Sequence, residues 1–217
     1  LFNGLGGGAS AFVASAEYCR SGGVLQFDVI VSLVISLFIG VLTFTGSLVA
    51  FGKLQGLIKS APVVFRMQRP LNLLLFLSFL IFGFLVVINP VNSTGLLAIL
   101  AVAFVLGILF VMPIGGADMP VVISLLSSCS GLAAAATGFV LSNNVLIICG
   151  ALVGASGVIL TRIMCRAMNR SLSRVIFGTA GVVDTEDVLK RETRKVVRYG
   201  EEDAAMVLES AQSIIII

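Results

Sequence analysis

From residue 29 to residue 168 the sequence is little else than apolar runs of membrane-crossing length, broken by short turns. A helix that crosses a bilayer needs about 20 predominantly apolar residues. Lipid offers its backbone no hydrogen-bonding partner, so the helix must satisfy its own. The runs at residues 29–51, 71–88, 95–112, 119–141 and 144–168 meet that requirement, and a Gly-rich run at residues 1–16 reads as a sixth, clipped at its start. The separators are turn chemistry: "NPVNSTG" after the third run, Pro113 after the fourth, "LSNN" before the sixth. With 58% hydrophobic and 12% charged residues and a mean hydropathy of +1.12, the chain lacks the polar surface a soluble domain needs. The fold class is an all-α membrane protein, with a six-helix transmembrane bundle over residues 1–170.

The basic residues orient the bundle. Lys53, Lys59, Arg66 and Arg69 lie between the second and third runs, and Arg162, Arg166, Arg170 and Arg174 close the sixth. The opposite loops carry only Arg20. The positive-inside rule then puts the second loop, the fourth loop with Asp118, and the C-terminus on the cytoplasmic or matrix side of an inner membrane. The start "LFNGLGGGAS" is no signal peptide and reads as the middle of a helix, so more chain is expected upstream.

After Ser171 the composition turns polar. Residues 171–200 read as a charged linker. Residues 201–217 read as a short amphipathic helix followed by the buried strand "SIIII", the start of a Rossmann-like α/β domain that stops after its first strand.

Few polar groups enter the apolar runs. Asp118 and Pro120 open the fifth; a carboxylate there caps the helix and opposes its dipole, and it equally suits a proton-accepting group at the inner mouth of a pathway. Ser124, Ser127, Ser128 and Ser130, with Gly131, suit either tight helix packing or a hydroxyl-lined water wire. Gly150, Gly154, Gly157 and Ser156 give the sixth run a similar face. Thr43, Thr45 and Ser47 lie deep in the second, Asn3 near the start of the first, and Asn143 and Asn144 at the outer end of the sixth. None of these titrates, and the chain has no histidine, so any proton route through it needs an ionisable group from elsewhere. The arginines at 162, 166, 170 and 174 share one helical face, suited to snorkelling or to docking a soluble domain. Of the four cysteines, Cys19, Cys129, Cys149 and Cys165, the last three fall in apolar segments without CxxC spacing and read as small buried hydrophobes.

The segments "FIGVLTFTGSLVAFGKL", "GGADMPVVISLLSS", "GFVLSNNVLIICGALVGASGVIL" and "IMCRAMNRS" resemble the β subunit of the proton-translocating NAD(P) transhydrogenases, and the resemblance covers essentially the whole chain. It implies a membrane component that couples hydride transfer between NAD(H) and NADP(H) to proton movement. It implies NADP(H) on a missing downstream domain, NAD(H) on a partner domain, and no nucleotide bound by this chain alone. The implied partners are further membrane helices, the two nucleotide-binding domains and lipid, in a homodimeric assembly of the mitochondrial or bacterial inner membrane, with no nucleic acid. Asn3 stands where many members carry a histidine implicated in proton transfer; in members with this asparagine, a histidine on another segment substitutes. The resemblance places Asn3, Ser128, Asn143 and Asp118 near the proton route, and Asp118 and Arg170 where the membrane part couples to the nucleotide domain. The alternative is a non-catalytic membrane scaffold derived from transhydrogenase within a larger respiratory-type complex.

Overall fold

The computed structural model describes residues 1–22, 25–59, 61–63, 67–89 and 93–169, with Leu172 and Glu209. Six α-helices carry the described chain: α1 (Phe2–Ser21), α2 (Phe27–Leu54), α3 (Gln68–Ile88), α4 (Ser93–Val111), α5 (Met119–Val140) and α6 (Asn144–Ala167). The chain divides by its contacts into Leu1–Gly181 and Val182–Ile217, and all six helices belong to the first part. The expected linker, amphipathic helix and terminal strand fall almost wholly outside the described residues, as do Arg170 and Arg174.

Five of the six helices, α2 to α6, are long and apolar enough to cross a membrane. The six-span expectation therefore needs a correction at α1. That helix is 20 residues long, but its glycines, serines and Asn3 dilute its hydropathy, and it ends in the Glu17–Arg20 ion pair at 2.6 Å. It still lies along the bundle. A side chain added at Gly4 would meet Ser47, and one at Gly7 would meet the Gly40 carbonyl and Thr43. Packing of residue 4 by 47 and residue 7 by 40 and 43 makes α1 antiparallel to α2.

Local chemistry sets the helix ends. Gly22 closes α1 in the left-handed conformation at φ 59°, which glycine adopts without a Cβ penalty. Pro113 stops α4, since it has no N–H to donate. A single 3-10 turn, Gly116–Asp118, leads into α5 with Pro120 in its first turn. Between α5 and α6 the chain reverses through Leu141, Ser142 and Asn143. Ser142 has φ 52°, and the Asn143 N–H donates to the Gly138 carbonyl at 2.8 Å.

Two apolar clusters fill the bundle, one toward each end. Tyr18, Ile30, Leu33, Val86, Leu96 and Val140 belong to one. Val49, Val111, Ile114, Met119, Val122 and Cys165 belong to the other. Between them runs a waist of small and hydroxyl-bearing residues: Thr43, Thr45, Gly46 and Ser47 on α2, Gly107 on α4, and Ser128 and Gly131 on α5. Thr43 and Thr45 are fully buried. Their hydroxyls fold back onto their own helix, Thr43 to the Ile39 carbonyl at 2.6 Å and Thr45 to Val41 at 3.0 Å, so they cost the apolar surroundings little. α3 is the outlying helix. It packs against α4 and meets α2 through the stacked rings of Phe38 and Phe79 (centroids 3.6 Å apart), and turns Leu73, Leu74, Ile81 and Phe84 outward.

Candidate functional site: a polar column along helix 5

α5 packs against both α1 and α6, and it carries or neighbours Asp118, Asn3, Ser128 and Asn143. At its start stands Asp118, 7% exposed. Asp118 holds the N-cap position of α5, but its side chain makes no capping hydrogen bond. The expected cap is therefore corrected. A capping side chain works from an extended backbone, whereas Asp118 has φ −91° and ψ 1°, inherited from the 3-10 turn whose own N–H donates to the Gly115 carbonyl at 3.1 Å.

Asn3 lies one step further in. Its Nδ2 donates to the Ile123 carbonyl of α5 at 3.5 Å, so the start of α1 and the start of α5 share one end of the bundle. Ile123 is five residues beyond Asp118, about 7.5 Å at 1.5 Å per residue. Ser128 comes next, ten residues or about 15 Å from Asp118, and its hydroxyl donates to the Gly154 carbonyl of α6 at 2.8 Å. Ser124 reaches the Gly157 carbonyl at 3.3 Å, and Thr161 lies 3.0 Å from Ser124 Oγ and 2.7 Å from the same Gly157 carbonyl. Nearer the other end, Ser36 of α2 meets Thr137 of α5 at 2.6 Å and the Ala133 carbonyl at 3.2 Å.

Asn143 caps this column at the far end. Its Oδ1 accepts the Leu146 N–H at 3.2 Å, the N-cap bond that α6 needs, and the residue is exposed. The sequence-derived residues thus do not converge on one pocket. They string along the bundle axis, with Asp118 and Asn3 at one end, Ser128 inside, and Asn143 at the opposite end.

The glycines explain how the column is built. A Cβ at Gly157 would lie 2.7 Å from Ser128 Cα, and one at Gly131 would lie 2.9 Å from the Gly150 carbonyl. Backbone touches backbone across α5 and α6, which brings carbonyls of α6 within reach of short serine side chains. Ser156, expected on this face, is exposed and bonds its own helix at Val153 (2.9 Å). It falls about 100° around the helix from Gly157. Cys149 is likewise exposed and Cys19 with it; of the four free thiols only Cys165 is buried, because Cys149 lies on the outward face next to Gly150. Arg162 and Arg166 are exposed, as snorkelling side chains should be.

The residue that sequence reasoning misplaced is Lys53. Its charge was counted as loop charge, yet it sits in the last turn of α2 and is 1% exposed. Its Nζ donates to the carbonyls of Met112 at 2.5 Å and Ile114 at 2.9 Å. Gln68 does the same from α3, its Nε2 donating to the Leu109 carbonyl at 3.0 Å. Leu109 is four residues before Pro113, so its carbonyl is the one left without an intrahelical donor. A proline at the end of an apolar run is a visible signal that the carbonyl four residues before it needs a donor from outside the helix.

Among the described residues no three His, Cys, Asp or Glu side chains gather as a metal site would require. The family comparison decides what the column belongs to. The model of the NAD(P) transhydrogenase beta subunit matches residues 1–217, the whole chain. The chain belongs to the NAD(P) transhydrogenase beta subunit family. Two curated relatives named NAD(P) transhydrogenase subunit beta, one from Rhodospirillum rubrum and one from a named strain of that species, are each 45% identical over 226 residues. Each alignment covers 100% of this chain and 48% of the relative, so the chain spans about half the length of the beta subunits it matches. With five helices able to cross a bilayer, this member is an integral membrane protein.

Proposed function

We propose that this chain is the membrane-embedded, proton-conducting part of a proton-translocating NAD(P) transhydrogenase. The observation that carries the reading is the polar column along α5 inside a member of the beta subunit family. Asp118 and Asn3 form its inner end, Ser128 its interior and Asn143 its outer end. Among the described residues every charged side chain lies in the first or last two turns of a helix or outside the helices. The interior hydroxyls give their protons to helix carbonyls, keep acceptor lone pairs and hold no charge. The ionisable group at mid-depth comes from a partner helix. Asp118 and Arg170 belong to the face that couples to the NADP(H)-binding domain.

The described residues do not fit a dinucleotide. The one glycine-rich run, Gly4 to Gly8, is helical, and three of its glycines are packed against α2, so its N–H groups are spent inside α1 and are not offered to a pyrophosphate. NADP(H) and NAD(H) are therefore assigned to other domains of the assembly, which pairs two copies in an inner membrane with the Asp118 end on the cytoplasmic or matrix side.

The test is proton uptake by the complete assembly in sealed vesicles during hydride transfer. Asp118→Asn and Asn143→Leu are each expected to slow proton uptake by at least about tenfold, roughly 1.4 kcal/mol on the barrier. Uptake equal to that of the native assembly in both variants sinks the placement of the column.

A further inference from the structure

We infer that Lys53 is a positioning residue for Asp118: it holds the Met112–Asp118 connection from α2 and so fixes where the carboxylate stands. The inference rests on the reading of Asp118 as the inner end of a proton route. Three observations carry it. Lys53 is the largest of the fully buried side chains, and an ammonium is removed from water only where strong acceptors receive it. Its acceptors include two carbonyls, Met112 and Ile114, that flank Pro113. α4 ends there, and its last carbonyls have no helical donors.

The third observation is how short the connection is. Only three residues, Gly115, Gly116 and Ala117, separate Ile114 from Asp118. The intervening turn is closed by the Asp118 N–H on the Gly115 carbonyl at 3.1 Å. The Ile114 and Met119 side chains are buried in the same apolar cluster as Val49 and Ala50 of α2. A shift of the Ile114 carbonyl is therefore passed to Asp118 with little slack. The Met112 carbonyl also accepts the Val63 N–H at 3.3 Å, and Gln68 takes Leu109, so both the α2–α3 loop and α3 meet the same helix end. Of these donors only Lys53 brings a positive charge to the negative end of α4 and reaches past the proline. It joins the helix that lines the waist to the turn that carries the acid.

Hydrogen exchange on the complete, detergent-solubilised assembly tests the hold itself, and proton uptake in vesicles tests its use. Lys53→Met keeps the length and apolar stem and removes every donor; Lys53→Arg keeps charge and donors. Exchange at the amides of 114–118 is expected to quicken by about tenfold or more in Lys53→Met, to stay within about threefold of native in Lys53→Arg, and to be unchanged in the α5–α6 contact. Proton uptake should fall in Lys53→Met, recover in Lys53→Arg, and show no further loss when Lys53→Met is added to Asp118→Asn. Unchanged exchange in Lys53→Met overturns the proposal whatever the uptake shows. Full additivity with Asp118→Asn overturns it too, since Lys53 would then act by another route. Quickened exchange together with native uptake in Asp118→Asn leaves the hold standing and removes the proposed role of the acid instead. Should Lys53→Met fail to assemble, Lys53→Gln is read against Lys53→Arg in the same assay, and equal exchange in the two overturns the proposal.

Discussion

Gly107 and Gly6 are the same residue in the same kind of helix, yet they predict opposite outcomes. A Cβ at Gly107 would strike the Thr45 hydroxyl and stand 2.7 Å from the Leu42 carbonyl, whereas one at Gly6 meets nothing within 4 Å. Gly107→Ala is expected to cost about 1–3 kcal/mol by overpacking. Gly6→Ala should stabilise by about 0.5–1 kcal/mol through helix propensity. Thermal unfolding of the detergent-solubilised assembly orders the two; a Gly107→Ala protein as stable as the native one would mean that α2 and α4 do not approach as described. Lys53 shows where residue-level reading stops. A lysine near the end of an apolar run reads as topology charge because that is what most such lysines do. Its burial depends on a helix terminus 59 positions away, and no window of local sequence contains that partner. Asp118 shows the reverse: its place at the start of α5 was legible from Pro120 and the apolar run, and its missing cap bond was not, because the 3-10 turn before it sets the backbone.

At the scale of elements, the α5–α6 pair was the most legible. The sequence showed small residues on both helices at helical spacing, and the structure puts Gly131, Gly150, Gly154 and Gly157 in the contact. Pro113 and "LSNN" stand where α4 and α5 end, since each opposes continuation of a helix. The choice between packing and a water wire was not legible, because a serine on a helix carries no mark of what it will bond. The structure spends Ser124 and Ser128 on carbonyls of α6. Ser128→Ala should therefore cost about 0.6–1.7 kcal/mol, and Gly131→Leu should separate the pair outright. Measured unfolding free energies in lipid bicelles check both, and a Gly131→Leu protein no weaker than Ser128→Ala would contradict the close approach.

At the scale of the molecule, the hydrogen bonds place Asn3, Lys53 and Asp118 at one end and Tyr18, Val140 and Asn143 toward the other. A membrane-impermeant maleimide should then label Cys19, beyond Tyr18, from the outer side alone. In a Cys149→Ala background, Ala117→Cys, exposed in the 3-10 turn, should react from the cytoplasmic or matrix side alone. Labelling of both from one side would reverse a helix. The all-helical bundle was legible because lipid leaves the chain so few options. The standing of α1 as a full span was not, because its glycines lower hydropathy while improving fit against α2. That same fit governs which seams can shear. Where glycines let peptide planes abut, as between α1 and α2 and between α5 and α6, few rotamers are left to rearrange, so each pair travels as a block. α3, only 11% buried along its span and seated through aromatic rings, is the stave that can give when the barrel breathes.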